Sequence, residues 1–219
     1  MQNGSFIHET AIVSGDVKIG LGCKIWHFSH IFGASKLGAG CVIGQNVMIG
    51  PNVSIGDRCK IQNNVSLYKG VCFHEEVFCG PSVVFTNILT PRAFINRSDE
   101  FSQTTIHRRA TIGANATIIC GVVIEEYAMI GAGSAVTRNV AAHRLGRGNP
   151  ARAVGWVSKA GEVLGESMVC PRDGSKYKVG DNGLVGFVVH DLRDALKNGF
   201  VERLDGQRVR PFGQNLKQH

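Results

Sequence analysis

From Ile7 onward, every sixth residue is apolar for fourteen positions: Ile7, Val13, Ile19, Ile25, Ile31, Leu37, Ile43, Ile49, Ile55, Ile61, Leu67, Phe73, Cys79 and Phe85. The series resumes with Ile106, Ile112, Ile118, Ile124, Ile130 and Val136, for twenty hexads in all. A helix needs apolar returns at three and four, and a half-buried strand alternates at two. A period of six satisfies neither. Two residues before each slot stands a small residue, from Ser5, Ala11 and Val17 to Ala128 and Ser134, and Gly often follows the slot, as at Gly44, Gly80 and Gly113.

The branched residue must fill an interior, and the small residue with its glycine marks a corner where the chain turns tightly. Three short flat strands per triangular coil use 18 residues, and coils stacked at the ordinary strand spacing lie roughly 4.8 Å apart. Twenty hexads therefore predict an all-β fold: a parallel β-helix of six to seven coils, about 30 Å long. The gap between Phe85 and Ile106 is 21 residues, three more than a complete coil. It breaks the hexad register, so a loop near residues 86–103 must leave the prism. Long aperiodic loops are often functional.

After Val136 the hexads stop, and Arg144 to Arg152 reads as a Gly/Pro linker. The composition changes near 156, which divides the chain into a β-helix domain (1–155) and a small C-terminal α+β extension (156–219). Ser175 to Val179 and Leu184 to Val189 read as strands, and Asp191 and Asp194 cap a short helix that Gly199 stops. Cys170-Pro-Arg-Asp-Gly-Ser-Lys-Tyr177 is half of a zinc ribbon without partner cysteines, so no metal is expected there.

Composition narrows the function classes. The formal charge is +7, yet the basic residues are scattered except at Arg108-Arg109 and around Arg144, Arg147 and Arg152. Nucleic acid would require a continuous basic patch with interleaved aromatics, so the expected partner is a small phosphorylated ligand and not nucleic acid. No apolar stretch approaches the roughly 18 residues of a bilayer span, and the N-terminus lacks a secretory pattern. A cytoplasmic protein with no membrane partner is expected. Seven cysteines without a C-x-x-C pair argue against a disulfide framework.

Residues 18 apart should stack on one face. One such column is His27, Gln45, Asn63 and Pro81; its neighbour is Phe28, Asn46, Asn64 and Ser82. The amides of Gln45-Asn46 and Gln62-Asn63-Asn64 either ladder on one another or face a cleft and bind a polar substrate. Asn87 falls over Lys69 at the mouth of the long loop.

The hexads resemble those of the hexapeptide-repeat acyltransferases, which implies a left-handed coil and a homotrimer. The segments Ile25-Trp-His-Phe-Ser-His-Ile31, Lys60-Ile-Gln-Asn-Asn-Val-Ser-Leu-Tyr68, and Phe78-Cys-Gly-Pro-Ser-Val-Val-Phe-Thr-Asn87 followed by Pro91-Arg-Ala sharpen this. They resemble nucleotide-sugar N-acetyltransferases, above all those that acetylate UDP-2-acetamido-3-amino-2,3-dideoxy-glucuronate for bacterial surface polysaccharide (O-antigen of lipopolysaccharide). A related group acts on dTDP-3-amino-3,6-dideoxyhexoses.

The implied reaction is attack of a neutral sugar amine on the thioester of acetyl-CoA, which asks mainly for alignment and oxyanion stabilisation. By resemblance Asn87 orients the amine, and Gln62, Asn63, Asn64, Tyr68, Lys69, Phe85, Pro91 and Arg92 meet the sugar nucleotide. Relatives often carry an acidic residue where Lys69 stands, so no acid or base role transfers there. Backbone N–H groups near Gly80 or Ala110 are candidate oxyanion donors. Oxygen acetyltransferases of this fold use a His base, for which His27 heads the candidates His27, His30, His74 and His107. The resemblance also implies acetyl-CoA in a groove between prisms, its pantetheine along corners at Ala110 and Ala128. Arg144, Arg147, Asn149, Pro150 and Arg152 then lie near its phosphates, with Arg92 and Arg108-Arg109 on the nucleotide diphosphate.

Two other classes compete. Zinc carbonic anhydrases of the same fold need three converging imidazoles, two of them commonly five residues apart, and no two histidines have that spacing here. A non-catalytic trimeric scaffold is the other, against which the shared Asn87 and Pro91-Arg92 loop weighs.

Overall fold

The computed structural model describes residues 4–180 and 183–187. Each of the twenty hexads is a strand of two or three residues, and the strands stack in parallel into three sheets. The first face runs from Phe6–Ile7 through Lys24–Ile25, Val42–Ile43, Lys60–Ile61, Phe78–Cys79 and Thr111–Ile112 to Met129–Ile130. The second runs from Ile12–Val13 to Ala135–Val136, the third from Lys18–Ile19 to Val123–Ile124. Successive rungs are offset by 18 residues, as in Lys24↔Val42 and Lys60↔Val42.

Within each two-residue strand the first side chain points out and the second points in. The inward slots from Ile25 to Ile130 form one continuous core in which ten isoleucines are fully buried, each stabilising the fold by about 1.5–3 kcal/mol. The small residues share that interior. Where one carries a hydroxyl or thiol, it donates to a corner carbonyl of the next coil: Ser29 Oγ to Gly44 O at 2.7 Å, Ser35 Oγ to Gly50 O at 2.7 Å, Cys41 Sγ to Gly56 O at 3.1 Å. The column is thus small because it sits inside a narrow corner. All seven cysteines are free, and, against the opposing hydrogen bond with Cys23, the neighbouring Cys59 thiol together with burial raises the Cys41 thiol to about 11.

The long loop leaves the prism as expected, but the ladder is not interrupted. Phe73 pairs with Ile106, 33 positions on where an unbroken coil takes 18, so the excursion adds 15 residues between two adjacent faces and the strands on either side stay aligned. Ser102 N–H donates to Asn87 O at 3.1 Å and closes the loop at its base. Its outer part carries exposed Leu89, Phe94 and Ile95.

The segment read as a linker is instead structured. Arg144–Arg147 adds an eighth rung to the first face, parallel to Met129–Ile130, and Arg152–Val157 turns back against it as a hairpin. The hexad pattern misses this rung because it is two residues short: Ile130 pairs with Gly146 and Ile124 bridges to Val140, both 16 apart. Val163–Leu164 then pairs with Arg152–Val157. Beyond it, Lys176–Gly180 and Gly183–Phe187 form a second hairpin, with a small cluster of Leu164, Cys170 and Tyr177. The predicted strand at 175–179 is present and the one at 184–189 is described to Phe187; the helix predicted near Asp191 lies outside the described residues.

Candidate active site

The three edges of the prism differ in chemistry. Between the first and second faces, the corners of the second to fourth coils enclose a cleft of about 330 Å³ lined by Trp26, His27, Val42, Gly44, Gln45, Gln62 and Asn63. The 18-residue column is real there: Asn46 N–H donates to His27 O, Asn64 N–H to Gln45 O and Ser82 N–H to Asn63 O. The amides divide between two arrangements. Asn46 Nδ2 donates to Asn64 Oδ1 at 3.0 Å, a side-chain ladder that withdraws Asn64 from the predicted substrate contacts, whereas Gln45, Gln62 and Asn63 face the cleft.

Asn63 Oδ1 accepts the Gln45 N–H at 2.9 Å, which fixes the amide in place. Gly44 makes room for it: a Cβ at 44 would lie 2.5 Å from Asn63 Oδ1. His27 lies against His8, ring centroids 3.5 Å apart, and nearly parallel to Trp26, with 9° between planes and centroids 6.1 Å apart.

The second edge carries the long loop. Tyr68 and Lys69 form the exposed corner directly below Asn87, and the returning chain passes over Gly70, where a Cβ would stand 3.3 Å from Ser102 O. Asn87 is half-buried at the loop base; Pro91 and Arg92 are exposed farther out, and Arg92 Nη1 donates only to its neighbour Pro91 O. His27 and Asn87 therefore stand on different edges, three coils apart, and one chain does not bring them together. Phe85 is a correction. Its ring is buried against Phe73 inside the prism, centroids 5.7 Å apart, and does not reach a substrate.

The third edge is a ladder of ion pairs. Glu76 bridges Arg58 (2.9 Å) and Arg109, Arg109 Nη1 donates to Tyr127 Oη at 2.5 Å, and Arg108 meets Glu126 at 2.6 Å. Arg109 and Arg58 hold the Glu76 carboxyl below its ordinary range. Arg108 and Arg109, expected on the diphosphate, are thus each engaged by a carboxylate of the same chain while remaining half exposed. His74 lies against His107 on the same edge, the rings tilted by 44° (4.4 Å), and His30 stacks with Phe32 on the second face (3.9 Å). Above them His143 is buried, stacked on Tyr127 (4.7 Å) with Nδ1 against Val157 O at 2.9 Å, and burial lowers its basicity.

Several expected coenzyme contacts are corrected. Ala110 and Ala128 are fully buried core residues, so their side chains do not line a groove. The oxyanion candidates are also occupied: Gly80 N–H donates to Ile112 O at 2.8 Å and Ala110 N–H to His107 O at 3.2 Å. Arg144 lies over the Trp156 ring at 4.0 Å. Arg147 and Arg152, by contrast, are exposed and directly opposite across the hairpin, whose turn holds Asn149 and Pro150, and neither makes an ion pair among the described residues. Sequence reasoning missed Trp26 as a lining residue, although its place beside His27 in a chain with two tryptophans was a usable signal.

Among known families, the bacterial transferase hexapeptide (six repeats) matches residues 34–69 and 103–138, the two stretches flanking the loop, and these repeats identify the coil as a left-handed β-helix. The chain is 40% identical over 94 residues to dTDP-3-amino-3,6-dideoxy-alpha-D-galactopyranose 3-N-acetyltransferase of Aneurinibacillus thermoaerophilus, covering 42% of this chain and 48% of that enzyme. It is 30% identical over 157 residues to the mitochondrial gamma carbonic anhydrase 2 of Arabidopsis thaliana, covering 67% of this chain and 46% of that protein. The chain spans about half the length of the curated relatives it matches. A solved structure, PerB from Caulobacter crescentus in complex with CoA and GDP-perosamine, aligns with 22% identity over 69% of this chain and 57% of that one, TM-score 0.45.

Proposed function

We propose that this hexapeptide-repeat β-helix is an acetyl-CoA-dependent N-acetyltransferase acting on the amino group of a nucleotide-linked sugar. The observation that carries the coenzyme half is the hairpin of Arg147 and Arg152. Two guanidinium groups directly opposite each other repel, and with no carboxylate in ion-pair reach among the described residues the pair is matched to an anion such as the coenzyme's phosphates. The hairpin stands three coils above the level of Asn87, roughly 14 Å at the strand spacing, a span that an extended pantetheine arm covers.

The acceptor half rests on Asn87, with Tyr68, Lys69, Pro91 and Arg92 around it. The sugar amine, held neutral and aligned by the Asn87 side chain, attacks the thioester carbonyl carbon. The C–N bond forms, the C–S bond breaks, and the departing thiolate takes the amine proton. Alignment supplies most of the acceleration, consistent with Lys69 standing where an acid or base would otherwise be sought. An oxygen acceptor would need an imidazole base, and His27 is the candidate in the cleft.

Because the cleft and the loop occupy different edges, a homotrimer in which one copy's edge faces the next supplies a complete site, in the cytoplasm where acetyl-CoA and free thiols coexist. The β-helix domain, residues 1–155, carries the chemistry, and residues 156–219 are a separate extension, of which Val163–Leu164 pairs with the hairpin strand Arg152–Val157. The acceptor closest to the sequence motifs is UDP-2-acetamido-3-amino-2,3-dideoxy-glucuronate, for O-antigen synthesis. The 40% match to the Aneurinibacillus enzyme favours a dTDP-3-amino-3,6-dideoxyhexose as the second reading. Purified protein with acetyl-CoA and a panel of amino-sugar nucleotides should release thiol. Asn87→Ala should lower turnover at least tenfold with the fold intact; an unchanged rate would remove its role, and no thiol release with any acceptor would remove the activity.

A further inference from the structure

We propose that the cleft between the first and second faces is a nucleobase subsite that takes the imide edge of uracil or thymine. This rests on the acetyltransferase reading for its substrate class, but not for its chemistry. Trp26 and His27 present two aromatic rings within 9° of parallel, and the indole is 39% exposed. A planar heterocycle stacks on such a surface, whereas a sugar ring offers no flat π face. His8 against the other imidazole holds the His27 ring in place.

Apart from the Trp26 and His27 rings, the polar side chains lining the cleft are all amides. Asn63, its Oδ1 held by the Gln45 N–H, presents a fixed Nδ2 donor, and the Gln45 and Gln62 side chains have no partner among the described residues. An amide offers one donor and one acceptor side by side, which matches the O4 acceptor and N3–H donor of uracil or thymine, as Asn and Gln match adenine's donor and acceptor. Guanine displays two adjacent donors, N1–H and N2–H, which call for a carboxylate, and none lines the cleft. At about 330 Å³ the cleft has room for a nucleoside and not for a whole nucleotide sugar.

The diphosphate then leaves across the first face. Val42, at the cleft wall, pairs on one side with Lys24 and on the other with Lys60. Both lysines are exposed, and neither makes an ion pair among the described residues. His27 thereby becomes part of the stacking surface and has no proton to move.

Calorimetric titration of the wild type, Trp26→Leu and Gln62→Leu with UDP, dTDP, GDP and CoA tests this, with circular dichroism confirming that each variant folds. The wild type should bind UDP and dTDP at least tenfold more tightly than GDP. Trp26→Leu should weaken UDP about tenfold or more and leave CoA within twofold, and Gln62→Leu should narrow the gap between UDP and GDP. Equal affinity for GDP and UDP in the wild type, unchanged UDP affinity in Trp26→Leu, or a loss confined to CoA would overturn the subsite. The two proposals fail separately. UDP binding that depends on Trp26 without thiol release from any acceptor removes only the acetyltransferase reading, and thiol release with Trp26-independent UDP binding removes only the nucleobase subsite.

Discussion

Replacing Arg147 and Arg152 together by Gln should change stability and coenzyme affinity in opposite directions. The two residues are direct partners across an antiparallel pair, so their Cβ atoms stand about 5 Å apart and their charged heads, free to splay, about 8 Å apart. In water-like surroundings that repulsion is roughly 0.5 kcal/mol, less in salt. The double variant should therefore unfold about 1–2 °C higher than the wild type. Each guanidinium lost from a phosphate forfeits about 1.5–3 kcal/mol, so CoA should bind at least tenfold more weakly, and the wild type's loss of CoA affinity with rising salt should flatten. Thermal unfolding followed by circular dichroism, beside calorimetry of CoA at two ionic strengths, reads both quantities. A variant that is less stable than the wild type would mean that the arginines hold the hairpin together; undiminished CoA affinity would mean that the phosphates bind elsewhere.

Two further outcomes follow from buried groups. Ser29 Oγ both donates to Gly44 O and accepts the Val47 N–H (3.3 Å) in the core, so Ser29→Ala should destabilise the fold by about 1–3 kcal/mol in urea unfolding. Ser29→Cys, which mimics Cys23 and Cys41 at the equivalent corner slots, should recover part of that. His143 is held neutral by burial, so its folded pKa lies below the ordinary value of about 6.5. Its contribution is fully present above that value and is lost as pH falls from there through the depressed folded pKa. His143→Phe should remove that portion of the pH dependence; a wild-type slope in the variant would assign it to other groups.

The β-helix was legible because its period is a property of the backbone rung: each inward slot must be filled, and Ile, Leu, Phe or Cys fills it from Ile25 to Ile130. What was not legible depends on rungs of other length or on which way a residue points. The eighth rung is two residues short and puts Gly146 where an isoleucine was sought, with the Val140 side chain close to where its Cβ would be. Ala110 and Ala128 fall at corners in the sequence, yet a corner has an inside, and theirs is the inside. Arg108 and Arg109 look available until the rungs above and below bring Glu126 and Glu76 beside them. The Gln45, Gln62 and Asn63 grouping came from the 18-residue register; only the third dimension added Trp26 and separated His27 from Asn87.

The 15-residue excursion departs and re-enters at neighbouring positions of a single storey, so the masonry above and below never registers its length. Evolution or a designer can lengthen, shorten or exchange that cassette while the tower it hangs from goes on standing unchanged.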